Sequence, residues 1–262
     1  MTEYKTIRYE IEEGVAAVTL ARPEKRNAVD LDMFSELGDA TDRAASDPEV
    51  RVVLVSGEGK SFCAGIDLNA LANLDPTGVP FQGFLRMAQR PYRNLATMAK
   101  PTIGAVHGHA VGAGFQLALA CDLRVAATDV VFGMFEVRFG IVPDLGGNRP
   151  LTQLVGPAVA KELVWTGRTV DAQEAERLGL VNRLTNPDSL AKEAHTLATD
   201  LAAGPPLPLG LTKALINRSS EESLETVMER EGQAQTTCIS SEDHREAIGA
   251  FMEKRPPKFR GR

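Results

Sequence analysis

The sequence predicts an α/β fold with a helical C-terminal section, and three observations support this prediction. Short apolar runs of strand character recur in the first half of the chain, at residues 15–20, 51–56 and 102–106 among others. Between them, apolar residues repeat at helical spacing, as in residues 31–45. From Asp188 onward almost every segment has helical periodicity. Strands that recur early and helices that dominate late are typical of the α/β class.

The chain opens with a predicted β-hairpin, in which strand-like runs at residues 6–11 and 15–20 flank Glu12, Glu13 and Gly14. Further strands are expected at residues 51–56, 102–106, 123–127, 130–132 and 181–184. Helices are expected at residues 31–45, 68–74, 81–98, 116–120, 151–155, 158–166, 172–178, 190–203, 209–218, 223–237 and 243–252. We predict a turn at residues 75–78, a loop at 136–147 and a break at the prolines of 205–208.

Length and composition indicate a single soluble unit. The 262 residues contain no low-complexity block or long linker, so we expect one main domain, residues 1–200, and a helical extension, residues 201–262. A hydrophobic content of 43% and a net charge of -6 argue against sequence-independent nucleic-acid binding, which requires a basic face. The first residues resemble neither a signal nor a transit peptide, and no apolar run approaches the length of a membrane span. We therefore expect a cytoplasmic protein that binds neither nucleic acid nor membrane.

The cysteine and histidine patterns predict neither a disulfide framework nor a metal site. Cys63, Cys121 and Cys238 are odd in number, far apart and set in apolar surroundings, which favours reduced core thiols. His107 and His109 form a His-Gly-His sequence without a nearby cysteine pair, so we expect no metal there.

The central stretch, residues 100–122, joins a buried strand to a buried helix through a glycine-rich loop. The loop contains Gly108, Gly112 and Gly114, and the helix leaves it through Gln116. Backbone N–H groups at the start of such a helix, with the positive end of the helix dipole behind them, stabilise an anion. Glycine also lets a substrate approach the backbone closely.

A similar strand-to-helix turn occurs earlier, at residues 61–68. If the two turns face one another, the backbone N–H groups of Ile66 and Ala113 converge on one oxygen and form an oxyanion hole. Each glycine turn taken alone has an equally good structural explanation.

Three common signatures for phosphate binding or nucleophilic catalysis are incomplete in this chain. The dinucleotide-binding fingerprint would need glycine where Leu117 stands, and the phosphate-binding P-loop would need glycine where Leu54 stands. No Gly-x-Ser-x-Gly elbow is present. The sequence therefore argues against NAD, nucleoside triphosphate and serine-hydrolase chemistry.

Four ordered blocks together resemble the crotonase superfamily, the enoyl-CoA hydratase/isomerase family. They are residues 22–29 (RPEKRNAV), 61–68 (SFCAGIDL), 100–122 and 132–151, and the resemblance extends over nearly the whole chain. It implies a spiral of ββα repeats and assembly into trimers or dimers of trimers, with residues 201–262 as the trimerisation region. It also implies an acyl-CoA thioester substrate and no separate cofactor, because CoA is part of the substrate. The amides of Ile66 and Ala113 would then hold a thioester enolate.

The resemblance also implies positions that bind CoA and the substrate. Within one subunit these are Lys25, Ala28, Ala64, Gly65, Asp67, Leu68, Gly112 and Pro143. Phe251 and Lys254 would approach the CoA of a neighbouring subunit from the basic C-terminal tail. The apolar face of helix 81–98 is expected to pack mainly in the core, with part of it lining the acyl pocket.

The side chains around the enolate decide which reaction occurs. Hydratases of the family use two glutamates to activate a water, and this chain has Gln116 at the first position and Glu136 at the second. Glutamine can orient a water but cannot accept a proton at neutral pH, so efficient hydration is not expected.

Asp144 follows Glu136 by eight residues, and the two positions match the acid/base pair of the dienoyl-CoA isomerases of the family. Apolar neighbours at Phe135, Val137 and Phe139 are expected to bury Glu136 and raise its basicity. The alternative for Asp144 is a structural one, in which its carboxylate caps or pins the loop.

Isomerisation of an enoyl- or dienoyl-CoA by Glu136, and by Asp144 as a second acid/base, is therefore the main functional prediction. Hydration of a 2-enoyl-CoA, with Gln116 positioning the water, is the alternative. A CoA- or RNA-binding scaffold without turnover is a third hypothesis, and the intact Glu136 and both intact amide turns argue against it.

Overall fold

The chain is built around a mostly parallel six-stranded sheet. A computed structural model describes residues 4–72 and 79–262. The strands are β1 (Ile7–Glu12), β2 (Val15–Leu20), β3 (Val52–Gly57), β4 (Thr102–Val106), β5 (His109–Val111), β6 (Leu123–Ala127), β7 (Val131–Gly133), β8 (Thr169–Asp171) and β9 (Arg183–Thr185). The helices are α1 (Leu31–Ser46), α2 (Leu68–Ala72), α3 (Val79–Thr97), α4 (Ala113–Ala120), α5 (Asn148–Thr166), α6 (Ala172–Arg177), α7 (Leu190–Ala202), α8 (Pro206–Ser219), α9 (Leu224–Ser240) and α10 (Glu242–Glu253).

The large sheet has the order β1-β2-β3-β4-β6-β9, and β5-β7-β8 form a small second sheet. The first pair, β1 and β2, is the predicted antiparallel hairpin, with Glu13 and Gly14 at positive φ in its turn. From β2 to β9 the neighbours in the large sheet are parallel. Parallel neighbours need crossover connections, so helices cover the sheet and its inner strands are buried on both faces.

Side-chain alternation along the strands divides the core into two layers. Val52, Ile103 and Val125 pack against α7 on one face of the sheet. Val53 and Val106 face the larger layer, which also contains the buried faces of α1, α3 and α4. Every residue of α4 is buried. The helix that follows the glycine-rich loop therefore lies inside the protein and gives the loop a rigid support.

Several boundaries differ from the sequence prediction. The strands β5 and β8 were not predicted, because three residues give no measurable period. The predicted strand at 181–184 is shifted to β9. Helix α8 starts at Pro206 inside the predicted break, since proline is compatible with the first turn of a helix. The two helices predicted on either side of Gly156 are present as α5, which is interrupted at that residue (φ 75°, ψ 162°).

Two predicted features lie outside the described residues: the turn at 75–78 and the last two residues of the helix predicted at 68–74. Within residues 4–72 and 79–262, no helix is both long and apolar enough to cross a membrane. The division at residue 200 stays a prediction.

The three cysteines are free thiols, as predicted. Cys63 and Cys121 are buried, and burial raises the pKa of each thiol to about 12. Cys238 is only half-buried on α9, so its prediction as a core thiol was wrong. The reason is that α9 packs in this chain against its neighbouring helices rather than inside a sheet layer.

Candidate active site

A strand-like pairing aligns the two glycine turns. The N–H of Phe62 donates to the carbonyl of His107 at 2.8 Å, and the N–H of Cys63 donates to that of His109 at 2.9 Å. The N–H of Val111 donates back to Cys63 at 3.1 Å. The unpredicted strand β5 thus runs beside the chain that enters the first turn. This pairing brings the turn after Cys63 next to the turn after Val111.

Glycines allow the two turns to approach closely. Gly65 has φ 94° and Gly112 has φ 53°, conformations that favour glycine. A Cβ atom on Gly65 would lie 3.0 Å from the carbonyl oxygen of Val111 and 3.8 Å from the nitrogen of Ala113. A Cβ atom on Gly112 would lie 3.8 Å from the Cα of Gly65 and 3.6 Å from Oε1 of Glu136. The two turns and the Glu136 carboxylate therefore meet at one place.

The N–H groups of Ile66 and Ala113 are both available at this junction. Val29 pairs with Ile66 by donating to the carbonyl of Gly65 at 2.8 Å and accepting from the N–H of Asp67 at 2.8 Å. Since consecutive N–H groups of an extended chain point to opposite sides, the N–H of Ile66 faces away from Val29. Ala113 is the first residue of α4, so its N–H has no acceptor within the helix. This arrangement can supply two backbone donors to one oxygen.

Glu136 is a buried carboxylate with one oxygen bound and one without a partner. Its side chain is 8% exposed, and Oε1 accepts a hydrogen bond from Nε2 of Gln116 at 2.7 Å. Among the described residues no group donates to Oε2, although this atom is buried. Burial raises the pKa of the Glu136 carboxyl, and the charge of Asp144 adds to the rise. A carboxylate with these properties can take up a proton from a substrate held at the two amides.

Both ends of the Gln116 side chain are occupied by protein groups. Its Oε1 accepts from the backbone N–H of Leu145 at 3.0 Å and from that of Gly147 at 3.2 Å, while Nε2 holds Glu136. A Cβ atom on Gly147 would lie only 2.6 Å from Cγ of Gln116, so the glycine makes room for this contact. Gln116 therefore joins Glu136 to the loop that carries Asp144. The sequence did not predict this connection.

The apolar residues next to Glu136 in the sequence are themselves partly or largely exposed. Glu136 begins a short 3₁₀ turn, Glu136–Phe139, which directs its side chain inward. Phe139 is 54% exposed and Val137 is also exposed, while the ring of Phe135 lies under the guanidinium of Arg138 at 4.0 Å. That these apolar neighbours bury Glu136 and raise its basicity stays a prediction.

The loop of Asp144 is held by groups other than the Asp144 carboxylate. Its backbone carbonyl accepts from Nε2 of Gln89 at 2.7 Å, and the carbonyl of Pro143 accepts from Nδ2 of Asn148 at 3.1 Å. Helix α5 begins after Gly147, without a side-chain cap. Asp144 itself is exposed, and partial desolvation raises the pKa of its carboxyl. These contacts give no support to the structural alternative in which the carboxylate caps or pins the loop.

Backbone hydrogen bonds join the two segments predicted to bind CoA. The N–H of Ala64 donates to the carbonyl of Arg26 at 2.9 Å, and the N–H of Ala28 donates to that of Lys25 at 3.0 Å. Lys25 and Leu68 are exposed at the edges of this surface.

Asp67 lies in the same surface and is fixed by two contacts. The N–H of Asn69 holds the pKa of the Asp67 carboxyl below its ordinary value, and Arg22 forms an ion pair with it at 3.3 Å. The predicted positions in the first half of the chain thus form one surface beside the amide pair.

Phe251 and Lys254 lie elsewhere, at the C-terminal end of α10. Phe251 is 84% exposed, and Lys254 follows the last helical residue with φ 56°. Helix α10 packs against α9. Their predicted contact with the CoA of a neighbouring subunit stays a prediction.

Tyr92 is a buried residue near this site that was predicted only as part of an apolar helix face. Its hydroxyl donates to the carbonyl oxygen of Ala113 at 3.2 Å. A tyrosine in an apolar periodicity predicts burial but not the partner of its hydroxyl, so the sequence contained no signal for this contact.

Comparisons with known proteins agree with this geometry. The family model for "Enoyl-CoA hydratase/isomerase" matches residues 10–262. The chain is 37% identical to a crotonyl-CoA hydratase of Syntrophomonas wolfei, over 98% of both chains. It is also 37% identical to a 1,2-epoxyphenylacetyl-CoA isomerase of Escherichia coli, over 96% of this chain and 97% of the relative.

The fold comparison leads to the same family. The crystal structure of an enoyl-CoA hydratase from Bacillus anthracis superposes with a TM-score of 0.93 and 32% identity, over 98% of this chain and 100% of the other. The predicted crotonase-like α/β fold is thereby confirmed. The chain is an enzyme of the enoyl-CoA hydratase/isomerase family.

Proposed function

We propose that this enzyme is an acyl-CoA isomerase, which moves a carbon–carbon double bond through a thioester enolate. The observation that carries this proposal is the state of Gln116. Its amide is bonded to Glu136 on one side and to the backbone of Leu145 and Gly147 on the other. A neutral amide held in this way leaves Glu136 as the buried base and supplies no second carboxylate to activate a water.

Proton transfer in this site would proceed in two steps. Glu136 accepts a proton from the α or γ carbon of an enoyl- or dienoyl-CoA, and the C–H electron pair moves into the conjugated system. The negative charge then rests largely on the thioester oxygen, where the N–H groups of Ile66 and Ala113 stabilise it. Return of the proton to another carbon, from Glu136 or from Asp144, completes the migration of the double bond. No atom is gained or lost by the substrate.

The acyl-CoA substrate, its binding surface and the oligomer belong to the same proposal. Relatives with names of acyl-CoA enzymes support the substrate class. The surface of residues 25–29 and 64–68 lies beside the amide pair and carries the exposed cation of Lys25, which suits an anionic CoA. Exposed apolar side chains on the C-terminal helices support a homo-oligomer, a trimer or a dimer of trimers. They include Ile216, Leu224, Met228, Ile239 and Ile248.

Hydration of a 2-enoyl-CoA is the second candidate, because most of the named relatives are hydratases, including those of Syntrophomonas wolfei and Clostridium acetobutylicum. In that reaction Glu136 would be the only acid/base, and water would have to be oriented next to its unpartnered Oε2. The names of the relatives favour hydration, whereas the side chains of this site favour isomerisation.

The test is a substrate panel with product identification. The enzyme is incubated separately with 2-enoyl-, 3-enoyl- and dienoyl-CoA thioesters of several chain lengths. Ultraviolet absorbance reports conjugation, and mass spectrometry distinguishes an isomer from a water adduct, which is heavier by one water. Isomers without a mass change are expected. Rapid formation of the water adduct would establish the hydratase instead, and binding without turnover would indicate a scaffold.

A further inference from the structure

The strongest unassigned feature near the two turns is the hydrogen bond between helices α3 and α4. It joins the hydroxyl of Tyr92 to the carbonyl oxygen of Ala113, the residue whose N–H faces the site. Tyr92 is 2% exposed, so water does not compete for this contact. A carbonyl oxygen can only accept, so the tyrosine must donate.

The tyrosine is held from both sides along α3. Arg90, two residues before it, forms ion pairs with Asp39 and Asp42 of α1. Asn94, two residues after it, donates to the hydroxyl of Thr41 at 3.1 Å and also to Asp42.

The ring of Tyr92 also packs tilted against Phe34 of α1, with 6.5 Å between ring centroids. Helix α3 is thus fixed to α1 around the tyrosine. The hydroxyl is presented from a rigid support, as a precise positioning contact requires.

The first turn of α4 has no side-chain cap to hold it. Its N-cap is Gly112, which has no side chain to bind the free N–H groups and adopts a conformation that favours glycine. The N–H of Gly112 donates to Gly133 and its carbonyl accepts from Gln116, at 2.8 and 3.0 Å. These bonds fix the peptide before Ala113, and the tyrosine fixes the peptide after it.

We infer that Tyr92 is a positioning residue of the oxyanion hole, which holds the Ala113 carbonyl so that the Ala113 N–H stays directed at the thioester oxygen. The inference rests on the proposed function, in which that N–H binds the enolate. Burial raises the pKa of the Tyr92 hydroxyl well above its ordinary value, so it remains a protonated donor over the working pH range.

The experiment compares Tyr92→Phe with the matched control Tyr9→Phe. The hydroxyl of Tyr9 is also buried but has no hydrogen-bond partner among the described residues, and it lies on β1, away from the site. The probe is butanoyl-CoA with ¹³C at the thioester carbonyl, which has no double bond to move or hydrate. Infrared difference spectra of the bound probe report polarisation of that carbonyl. The kcat and KM are measured separately, with the enoyl- or dienoyl-CoA thioester that the wild type turns over.

In the wild type the carbonyl band of the bound probe should shift to lower frequency than in free butanoyl-CoA. Tyr92→Phe should lose part of this shift and lower kcat roughly three- to tenfold, the loss expected for one neutral hydrogen bond, with little change in KM. Tyr9→Phe should leave the band shift, kcat and KM unchanged. If Tyr92→Phe keeps the wild-type shift and kcat, the positioning role is wrong.

Two other outcomes are possible: the wild type does not bind the probe, or the Tyr92→Phe variant does not fold. If the wild type binds neither butanoyl-CoA nor the saturated acyl-CoA with the chain length of the best panel substrate, the proposed function fails and the inference fails with it. If Tyr92→Phe does not fold, 3-fluorotyrosine introduced at position 92 keeps the ring and gives a more acidic donor. A larger band shift than in the wild type then supports the inference, and an unchanged shift contradicts it.

Discussion

Glu136 and Asp144 are both carboxylates of one loop, yet their surroundings differ in almost every respect. Glu136 is buried and is bound at one oxygen by Gln116, while its other oxygen has no partner in residues 4–72 and 79–262. Asp144 is exposed, and its backbone carbonyl accepts a hydrogen bond from Gln89. Desolvation raises the pKa of both carboxyls. The charge on Asp144 raises the pKa of Glu136 further, so the two are electrostatically linked.

The difference assigns distinct tasks to the two groups. A buried carboxylate with a raised pKa is a stronger base and meets the substrate carbon without a hydration shell, which suits proton abstraction. An exposed carboxylate elsewhere in the same loop exchanges protons readily with water and can return a proton to the far end of a dienolate. If the two carboxylates have these different tasks, removal of Glu136 abolishes catalysis, whereas removal of Asp144 slows isomerisation only.

The largest effect is expected for Glu136→Gln. The substitution keeps the shape and an oxygen that can accept from Gln116, but it removes the base, so kcat should fall by about 10²–10⁴. Steady-state kinetics with the thioester that the wild type turns over provides the measurement. The variant should still bind the labelled butanoyl-CoA probe. Activity within tenfold of the wild type would mean that another group abstracts the proton.

A similar loss is expected when a donor is removed instead of a carboxylate. Ala113→Pro deletes one N–H at the first position of α4, where proline is tolerated. The kcat should fall by about 10²–10³, the typical effect of losing one oxyanion donor. A second measurement, the thermal unfolding curve, checks that the fold survives. Retained activity in a folded variant would remove Ala113 from the proposed mechanism.

A smaller and selective effect is expected for Asp144→Asn. Isomerisation should slow by roughly 10- to 100-fold, at or below the low end of general acid/base effects, while any hydration activity should stay the same. The control is Asp188→Asn, which changes an exposed aspartate in a distant 3₁₀ turn. Equal isomerisation rates for the two variants would show that Glu136 alone carries the proton.

The smallest expected effect is the influence of Glu136 on the free energy of unfolding at different pH values. The raised pKa of Glu136 means that the folded state keeps this proton to higher pH than the unfolded chain, whose value is near 4.5. Below pH 4.5 both states are protonated and the carboxyl costs nothing. As the pH rises through the folded pKa, the folded state must hold a buried charge and loses stability.

Glu136→Gln removes that cost, so its melting temperature should exceed that of the wild type by about 1–4 °C at pH 7.5 and by less at pH 4. Differential scanning calorimetry at the two pH values measures the difference. A constant difference, or one that grows towards pH 4, would contradict the assignment of a raised pKa.

Much of the fold followed from local patterns. The hairpin at Glu13 and Gly14 and the buried strands are encoded within a few neighbouring residues. The short strands β5 and β8 and the start of α8 at Pro206 were missed, because short pairing segments and helix boundaries depend on what lies beside them.

The sequence by itself determined which chemical groups are present: the two glycine turns, a carboxylate at Glu136 and an amide at Gln116. Those identities, in their order along the chain, were sufficient to predict the family. They also lead to the prediction that Glu136, with Asp144 as a second acid/base, carries the proton chemistry.

Only the tertiary structure decided how these groups act together. The pairing of Cys63 with β5, the bond from Gln116 to Glu136 and the contact of Tyr92 with Ala113 join residues 20 or more positions apart. No local periodicity records such contacts, because they arise from the packing of whole helices and strands.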